Sequence, residues 1–159
     1  MFKKKNDLYR KALEKYAGKH LLSLIEKNMD GQLTLQGEIK NLTVCFYNIF
    51  DYATLKANFD SRFLIELLYK YYEAVFKSIE NNGGVVLNIN GDEVISFFGD
   101  DCINPGTSAV KSCFDSVMIL NKQLQSMGFI KTDIIGNGIN SGEVLIGNFG
   151  SEDRMFYSM

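Results

Sequence analysis

Three oxygen-bearing side chains have the types and positions that could hold a divalent cation. Asn48 lies near the end of an apolar run, Asp51 directly follows that run, and Asp92 lies in an Asn-Gly-Asp turn between two further apolar runs. Hard cations such as Mg²⁺ take oxygen ligands, and a triphosphate substrate supplies others. The spacing alone leaves a structural alternative open, because Asp51 stands where a helix N-cap would stand and Asp92 is also an ordinary turn residue.

The histidine and the cysteines offer little for other metal or redox chemistry. His20 is the only histidine, which excludes a His-based metal cluster and favours a partly exposed helix residue. The cysteines are odd in number, show no CxxC spacing and lie in apolar segments. We therefore expect reduced packing residues rather than a disulfide or a zinc site at Cys45, Cys102 and Cys113.

The composition is typical of one globular domain. The chain has 159 residues, of which 46% are hydrophobic and 23% charged, with a formal net charge of -2. This charge balance gives no positive field that would attract nucleic acid or acidic lipid. Tyr69, Tyr71 and Tyr72 have a helical spacing that is typical of packing rather than of stacking on nucleic-acid bases. No apolar run approaches the roughly 20 residues of a membrane span, and the first residues lead into no signal-peptide core. We therefore expect a cytoplasmic protein without a nucleic-acid partner.

Apolar periodicity predicts two helices and one strand in the first half of the chain. Residues 7–27 form an amphipathic helical pattern, and the run of β-branched and aromatic residues at 42–50 predicts a strand buried on both faces. Residues 61–81 repeat apolar side chains with a period near 3.6, and the following Asn82-Gly83-Gly84 supplies a helix stop.

The second half is predicted to contain two hairpins, one helix and the opening of a further strand. An Asn-Gly turn joins apolar runs at 85–89 and 94–98, which is a strong hairpin signal. Thr107 is the expected N-cap of a helix that ends near Gly128. The remaining expected strands are 132–139 and 143–147, joined through Asn140-Ser141-Gly142, and one that begins at 154–159.

This order of elements predicts an α+β domain. A ferredoxin-like split βαβ sheet with its helices on one face accommodates the order most economically. Because no repeat, low-complexity tract or Pro-rich linker interrupts the chain, we expect a lead-in amphipathic helix at residues 1–30 and one domain at residues 31–159. In such a sheet the end of the first strand approaches the turn that carries Asp92, which would bring Asn48, Asp51 and Asp92 together.

Three segments resemble a known family. Residues 38–50, 90–99 and 138–155 resemble, in order and spacing, the catalytic domain of class III adenylate/guanylate cyclases. Residues 16–25 are similar to the short helix that leads into many bacterial domains of that family. The resemblance covers nearly the whole chain and implies the cyclase fold, from which the last helix and strands would be lacking here.

The resemblance implies a reaction and a site. Family members convert a nucleoside triphosphate to a 3′,5′-cyclic nucleotide plus pyrophosphate, with two metal ions, Mg²⁺ or Mn²⁺, held by two aspartates in a site shared between two domains. By motif match Asp92 is the second aspartate, Asn48 replaces the first, and Ile49 offers its backbone carbonyl. Asp51 replaces a family glycine and is a candidate substitute ligand. The implied nucleotide-binding positions are Phe50, Asp51, Tyr52, Asn88 and Gly91.

The departures from the family pattern lead to three alternative functions. Asn88 stands where the family commonly has Lys or Glu to select the purine, so ATP and GTP both remain open. The purine-contacting acid and a helix with an Asn and an Arg would follow Met159. We expect a cyclase-like domain of a cyclic-nucleotide signalling system, catalytically impaired alone, acting through nucleotide binding and through dimerisation with itself or another cyclase domain. The alternatives are an active cyclase that forms half of a dimeric site, and a ferredoxin-like interaction module without a nucleotide.

Overall fold

The computed structural model describes residues 2–27, 35–99, 102–126, 134–151 and 153–159. The chain divides into two compact units. One consists of Ile39–Val144, and the other combines Met1–Glu38 with Leu145–Met159. The boundary between a lead-in helix and the domain that the sequence predicts at residue 31 stays a prediction.

The fold is of the predicted α+β class, and its strands form one sheet with the predicted topology. The helices are α1 (Phe2–Lys27), α2 (Tyr52–Asn58), α3 (Ser61–Asn81) and α4 (Pro105–Gln125). The strands are β1 (Gln36–Ile49), β2 (Val85–Asn90), β3 (Glu93–Phe98), β4 (Ile135–Ser151) and β5 (Arg154–Ser158). The strand order is β2-β3-β1-β4-β5, and the antiparallel pairing of β3 with both β1 and β2 confirms the split βαβ arrangement.

The core of the Ile39–Val144 unit lies on one face of the central strand. Alternate β1 residues, among them Cys45, Tyr47 and Ile49, are buried in a cluster with α3 and α4, whereas Phe46 and Asn48 between them are exposed. This alternation is the period of two that a strand with one covered face requires. The helices α3 and α4 therefore cover one face. On the other face Phe46 and Asn48 are exposed, whereas Leu42 and Phe97 are buried. We call the exposed part of this face, around Phe46 and Asn48, the open face.

Two pairs of buried polar groups join β1 to α4 in this core. The Tyr47 hydroxyl and the Ser112 hydroxyl, on β1 and α4, lie 2.8 Å apart. Cys45 and Cys113 are free, buried thiols whose sulfurs lie 3.3 Å apart, and Cys102 is also free. Cys45 and Cys113 pack in this core, as expected.

Local sequence signals predict the positions of α3 and of the first hairpin correctly. The Asp60 side chain accepts a hydrogen bond from the Phe63 backbone N–H at 2.9 Å and caps the start of α3. Gly83 has φ +77°, and its N–H donates to the Glu80 carbonyl at the helix end. The turn between β2 and β3 consists of Gly91 and Asp92 alone, as the Asn-Gly signal predicts.

The second predicted hairpin is wrong. Residues 140–142 are extended and lie inside the single strand β4, whose partner in the hairpin is β5, with Ser151 opposite Arg154. The Ser141 hydroxyl lies 2.9 Å from the Thr43 hydroxyl of β1, so this turn-type segment is held beside the central strand. Residues 132 and 133 of the predicted strand lie outside the described residues.

Two element starts also differ from the sequence prediction. The helix α4 begins at Pro105 with Asn104 at the N-cap position, rather than at Thr107. Proline suits the first helical position because its missing N–H would have no helical partner there. The strand predicted at 42–50 begins earlier, at Gln36.

The unit that combines Met1–Glu38 with Leu145–Met159 contains α1, which includes the helix predicted at residues 7–27. Gly18 has φ 79° and ψ 158°, so α1 consists of two helical segments joined at a kink. Leu22 is buried, and Arg10 forms an exposed ion pair with Glu26 at 2.8 Å. His20 is half-buried, with its ring 5.6 Å from the Tyr157 ring. Among the described residues, no helix is long and apolar enough to span a bilayer.

Candidate functional site

The end of β1 meets the turn between β2 and β3. Tyr47 pairs with Val94, and the same antiparallel register continued by two residues places Ile49 opposite Asp92. The Asp92 carboxylate accepts a hydrogen bond from the Ile49 backbone N–H, with 3.3 Å between Oδ2 and N. The side chain of Asp92 thus takes the place of a ladder carbonyl at the strand end, and the predicted proximity of the first strand to this turn is confirmed.

Asn48 projects from the open face of β1. A Cβ atom at Gly136 of β4 would overlap the Asn48 Oδ1, so the amide side chain occupies space that only a glycine leaves free. Asn48 is exposed and neighbours Ile49, whose N–H binds Asp92. An amide oxygen and a carboxylate therefore flank the last residue of the central strand.

Asp51 has the backbone conformation of a glycine position. Its φ of 54° and ψ of 38° are left-handed, and it is the only non-glycine residue with positive φ in the part of the chain that the structure describes. Asp51 is the N-cap residue of α2, as predicted, but its side chain makes no capping bond to a backbone N–H. Its Oδ1 instead accepts from the Thr54 hydroxyl at 2.7 Å. The carboxylate is thereby directed into its own helix start.

The charge of Asp92 contributes to the raised pKa of three tyrosines. Burial, and secondarily the Asp92 carboxylate, raises the pKa of Tyr52 at the start of α2 and that of Tyr71 on α3. Burial, Tyr52 and Asp92 together raise the pKa of Tyr72. The Tyr72 hydroxyl donates a hydrogen bond to the Gly91 carbonyl. The Tyr71 hydroxyl is buried and has no hydrogen-bond partner among the residues that the structure describes.

The sequence interpretation assigned Tyr71 and Tyr72 to packing and missed their relation to the turn. Their spacing shows only that they share a helix. The contact with Gly91 depends on α3 lying against the β2–β3 hairpin, which no local pattern encodes. The chain therefore offered no signal from which this relation could be derived.

The remaining predicted nucleotide-binding positions lie around the same strand ends. Phe50 is 70% exposed, and its N–H donates to the Ile134 carbonyl at 2.6 Å. Asn88 is exposed on β2 at a register shift, and its Oδ1 accepts from the Ile89 N–H at 2.8 Å. Gly91 has φ +61° and forms the turn. Asn88 pairs with Ile95, which pairs with Phe46, so Asn88 lies on the open face with Asn48.

The donor set fits a hard cation but carries little charge. The Asp92 carboxylate, the Asn48 amide oxygen and the Ile49 carbonyl are all oxygen ligands, which Mg²⁺ and Mn²⁺ accept. Across the described ranges, no group of three or more His, Cys, Asp or Glu residues could hold a metal ion. One carboxylate would compensate two dications poorly, because an amide is neutral.

Comparisons with known proteins agree with this fold. A scan against protein-family models found no match. The adenylyl cyclase CyaB from P. aeruginosa is 30% identical with a TM-score of 0.68, covering 78% of this chain and 67% of that chain. A bacterial light-regulated adenylyl cyclase is 23% identical with a TM-score of 0.80, covering 99% of this chain and 46% of that chain, and shows the shared fold.

A curated relative extends the similarity. The terminal-differentiation-specific adenylate cyclase of Dictyostelium discoideum is 29% identical over 118 residues, which are 73% of this chain and 6% of that protein. The chain thus spans a small part of that relative and about half of the light-regulated cyclase. The split βαβ fold and the similarity to CyaB define a nucleotidyl cyclase-like domain. The chain belongs to the class III adenylate/guanylate cyclase catalytic domains.

Proposed function

We propose that this chain binds a nucleoside triphosphate with Mg²⁺ or Mn²⁺ within a cyclic-nucleotide signalling system, and that its catalysis is impaired when it acts alone. The observation that carries the proposal is the ligand set at the end of β1. Asp92 supplies one carboxylate there, whereas Asn48 supplies a neutral amide. Under this proposal the chain still binds a metal and a triphosphate. With one carboxylate instead of two, it stabilises two closely spaced dications less well.

Under this proposal, different residues would bind the metal and the nucleotide. The Asp92 carboxylate, the Asn48 amide and the Ile49 carbonyl would hold the metal, while Phe50, Asp51, Tyr52, Asn88 and Gly91 would contact the nucleotide. The ions, when bound, would lower the pKa of the ribose 3′-hydroxyl and neutralise charge on the transferred phosphorus. The Ile49 N–H holds the Asp92 carboxylate beside β1, so that ligand is oriented before metal binding.

Dimerisation is the second part of the proposal. Phe46 is 44% exposed on the open face and forms a cross-strand row with Ile95 and Asn88. Exposed aromatic side chains on a sheet face favour association with another surface. Because Asn48 and Asn88 lie on this face, a second cyclase domain that covers it would complete the site from the other side. The partner would be another copy of this chain or a different cyclase domain.

The decisive experiment is cyclic nucleotide production by the purified chain at high concentration, from ATP and from GTP, with Mn²⁺. The matched control is Asp92→Ala. We expect metal-dependent triphosphate binding with no turnover from either nucleotide, and loss of that binding in the control. Turnover that disappears in the control would establish the second candidate, an active cyclase, which the 30% identity to CyaB favours.

The third alternative has its own outcome. An interaction module without a nucleotide would show no metal-dependent binding of ATP or GTP at millimolar concentrations. Equal binding by the wild type and by Asp92→Ala would likewise contradict a site at Asp92.

A further inference from the structure

A hydrogen bond from α3 holds the turn that contains Asp92. The Tyr72 hydroxyl donates its hydrogen bond to the Gly91 carbonyl, and Gly91 immediately precedes Asp92 in the two-residue turn between β2 and β3. Gly91 has positive φ and no side chain, so its carbonyl is the group through which a neighbouring helix can hold this residue. The contact therefore joins a helix of the core to the tip of the hairpin.

This contact acts on Asp92 through the peptide plane. The Gly91 carbonyl and the Asp92 N–H belong to one planar peptide unit, so fixing the carbonyl direction also fixes the direction in which the Asp92 backbone leaves the turn. The bond from the Asp92 carboxylate to the Ile49 N–H spans 3.3 Å, which is long for a charge-assisted hydrogen bond. A glycine beside it is the most permissive backbone that the chain can offer. The carboxylate therefore needs a second restraint.

The Tyr72 ring is itself well placed to provide that restraint. Its centroid lies 5.5 Å from the Tyr71 ring and 5.7 Å from the Phe76 ring, and the side chain is half-buried. The hydroxyl thus projects from a ring that α3 packs on two sides.

We propose that Tyr72 is a positioning residue, which holds the Gly91 carbonyl and thereby places the Asp92 carboxylate at the end of β1 for metal binding. The metal-binding part of this inference rests on the proposed function. The placement of Asp92 against Ile49 does not, and it is measurable without metal.

The test compares Tyr72→Phe with Tyr69→Phe, a matched control on the same helix whose tyrosine is 69% exposed. Both variants keep the ring and delete one hydroxyl. In metal-free amide NMR spectra, we expect Tyr72→Phe to shift the Ile49 and Asp92 resonances and to accelerate amide hydrogen exchange at Ile49 about three- to tenfold. Tyr69→Phe should leave both unchanged. Unchanged Ile49 and Asp92 signals in folded Tyr72→Phe would overturn the proposal.

Mn²⁺ titration followed by paramagnetic broadening of the same amides is the second arm. Half-broadening of Ile49 in Tyr72→Phe should need about three- to tenfold more Mn²⁺ than in the wild type. A merely structural role would lower the urea midpoint while leaving the Ile49 shift and the Mn²⁺ requirement unchanged. If Mn²⁺ broadens no site amide of the wild type, the proposed function fails, and the metal-free spectra still decide whether Tyr72 positions Asp92.

Discussion

At the scale of single residues, the site differs from a symmetric pair of carboxylates. Asn48 and Asp92 flank Ile49, and Asn48 has the shape of an aspartate but no charge. Gly136 leaves the space that the Asn48 side chain uses. Since aspartate is isosteric with asparagine, the missing charge can be restored there without a steric change.

Asn48→Asp should raise Mn²⁺ affinity about tenfold, because a second carboxylate would join Asp92 beside the cation. Isothermal titration calorimetry at neutral pH measures the change. The matched control is Asn88→Asp, which adds the same charge on the open face but at the predicted purine position. A similar gain from both variants would indicate a general electrostatic effect, and no gain from Asn48→Asp would contradict a metal site at Asn48.

Asp51 is a second residue whose backbone limits its replacement. Because it adopts positive φ, Asp51→Ala should lower the free energy of unfolding by about 1–2 kcal/mol. Asp51→Gly should stay within about 0.5 kcal/mol of the wild type, since glycine adopts this conformation without a steric penalty. Urea unfolding of both variants checks this order. If both variants also lose the same Mn²⁺ affinity, Asp51 is a substitute ligand; a more stable Ala than Gly variant would contradict the left-handed backbone.

At the scale of elements, hydrogen-bond satisfaction distinguishes two buried tyrosines on neighbouring elements. The Tyr47 hydroxyl of β1 pairs with Ser112 of α4, whereas the Tyr71 hydroxyl of α3 has no partner within the described part of the chain. Burial is the first cause that raises the pKa of each tyrosine. The same deletion of a hydroxyl should therefore have opposite effects on stability.

Tyr71→Phe should raise the free energy of unfolding by about 1 kcal/mol, because it removes an unsatisfied buried hydroxyl. Tyr47→Phe should lower it by about 1–3 kcal/mol, because Ser112 would lose its partner. Each raised pKa favours the neutral phenol in the folded state, so this contribution is present below pH ~10 and is lost as the pH rises further. Tyr71→Phe should thus also weaken the loss of stability above pH ~10. Equal destabilisation by both variants in urea titrations would contradict this distinction.

At the scale of the whole molecule, α3 and α4 cover one face of the sheet in the Ile39–Val144 unit, and the open face around Phe46 is exposed. Phe46 on the open face and Phe114 on α4 are both exposed aromatic residues, 44% and 70% respectively. They lie on different layers of the Ile39–Val144 unit. Substituting each one therefore distinguishes association through the open face from association through any exposed apolar side chain.

Phe46→Glu should weaken self-association at least tenfold with little change in the free energy of unfolding, because a charge would be buried at the proposed interface. Phe114→Glu is the control and should leave association unchanged. Sedimentation velocity over a concentration series measures both. Association that responds to Phe114 rather than to Phe46 would assign the interface to the helical face.

The sequence by itself determined the features whose signals are local. The α3 helix ends where Gly83 provides a left-handed residue, the β2–β3 hairpin turns at Gly91 and Asp92 within the Asn-Gly-Asp segment, and the order of the elements gives the split βαβ topology. The motifs around Asn48 and Asp92 also indicated the family. Each of these signals depends on backbone preferences or spacing within one short segment.

Only the tertiary structure decided the features that depend on distant partners. Residues 140–142 have turn-type side chains, yet they stay extended in β4, where Ser141 meets Thr43 of the central strand. The bond between Asp92 and Ile49 and the contact of Tyr72 with Gly91 each join separate elements. Cross-strand and helix–hairpin hydrogen bonds form between groups that are far apart in the sequence, and their energies override local turn preferences. Because the partners are distant, no periodic pattern in the sequence predicts these bonds.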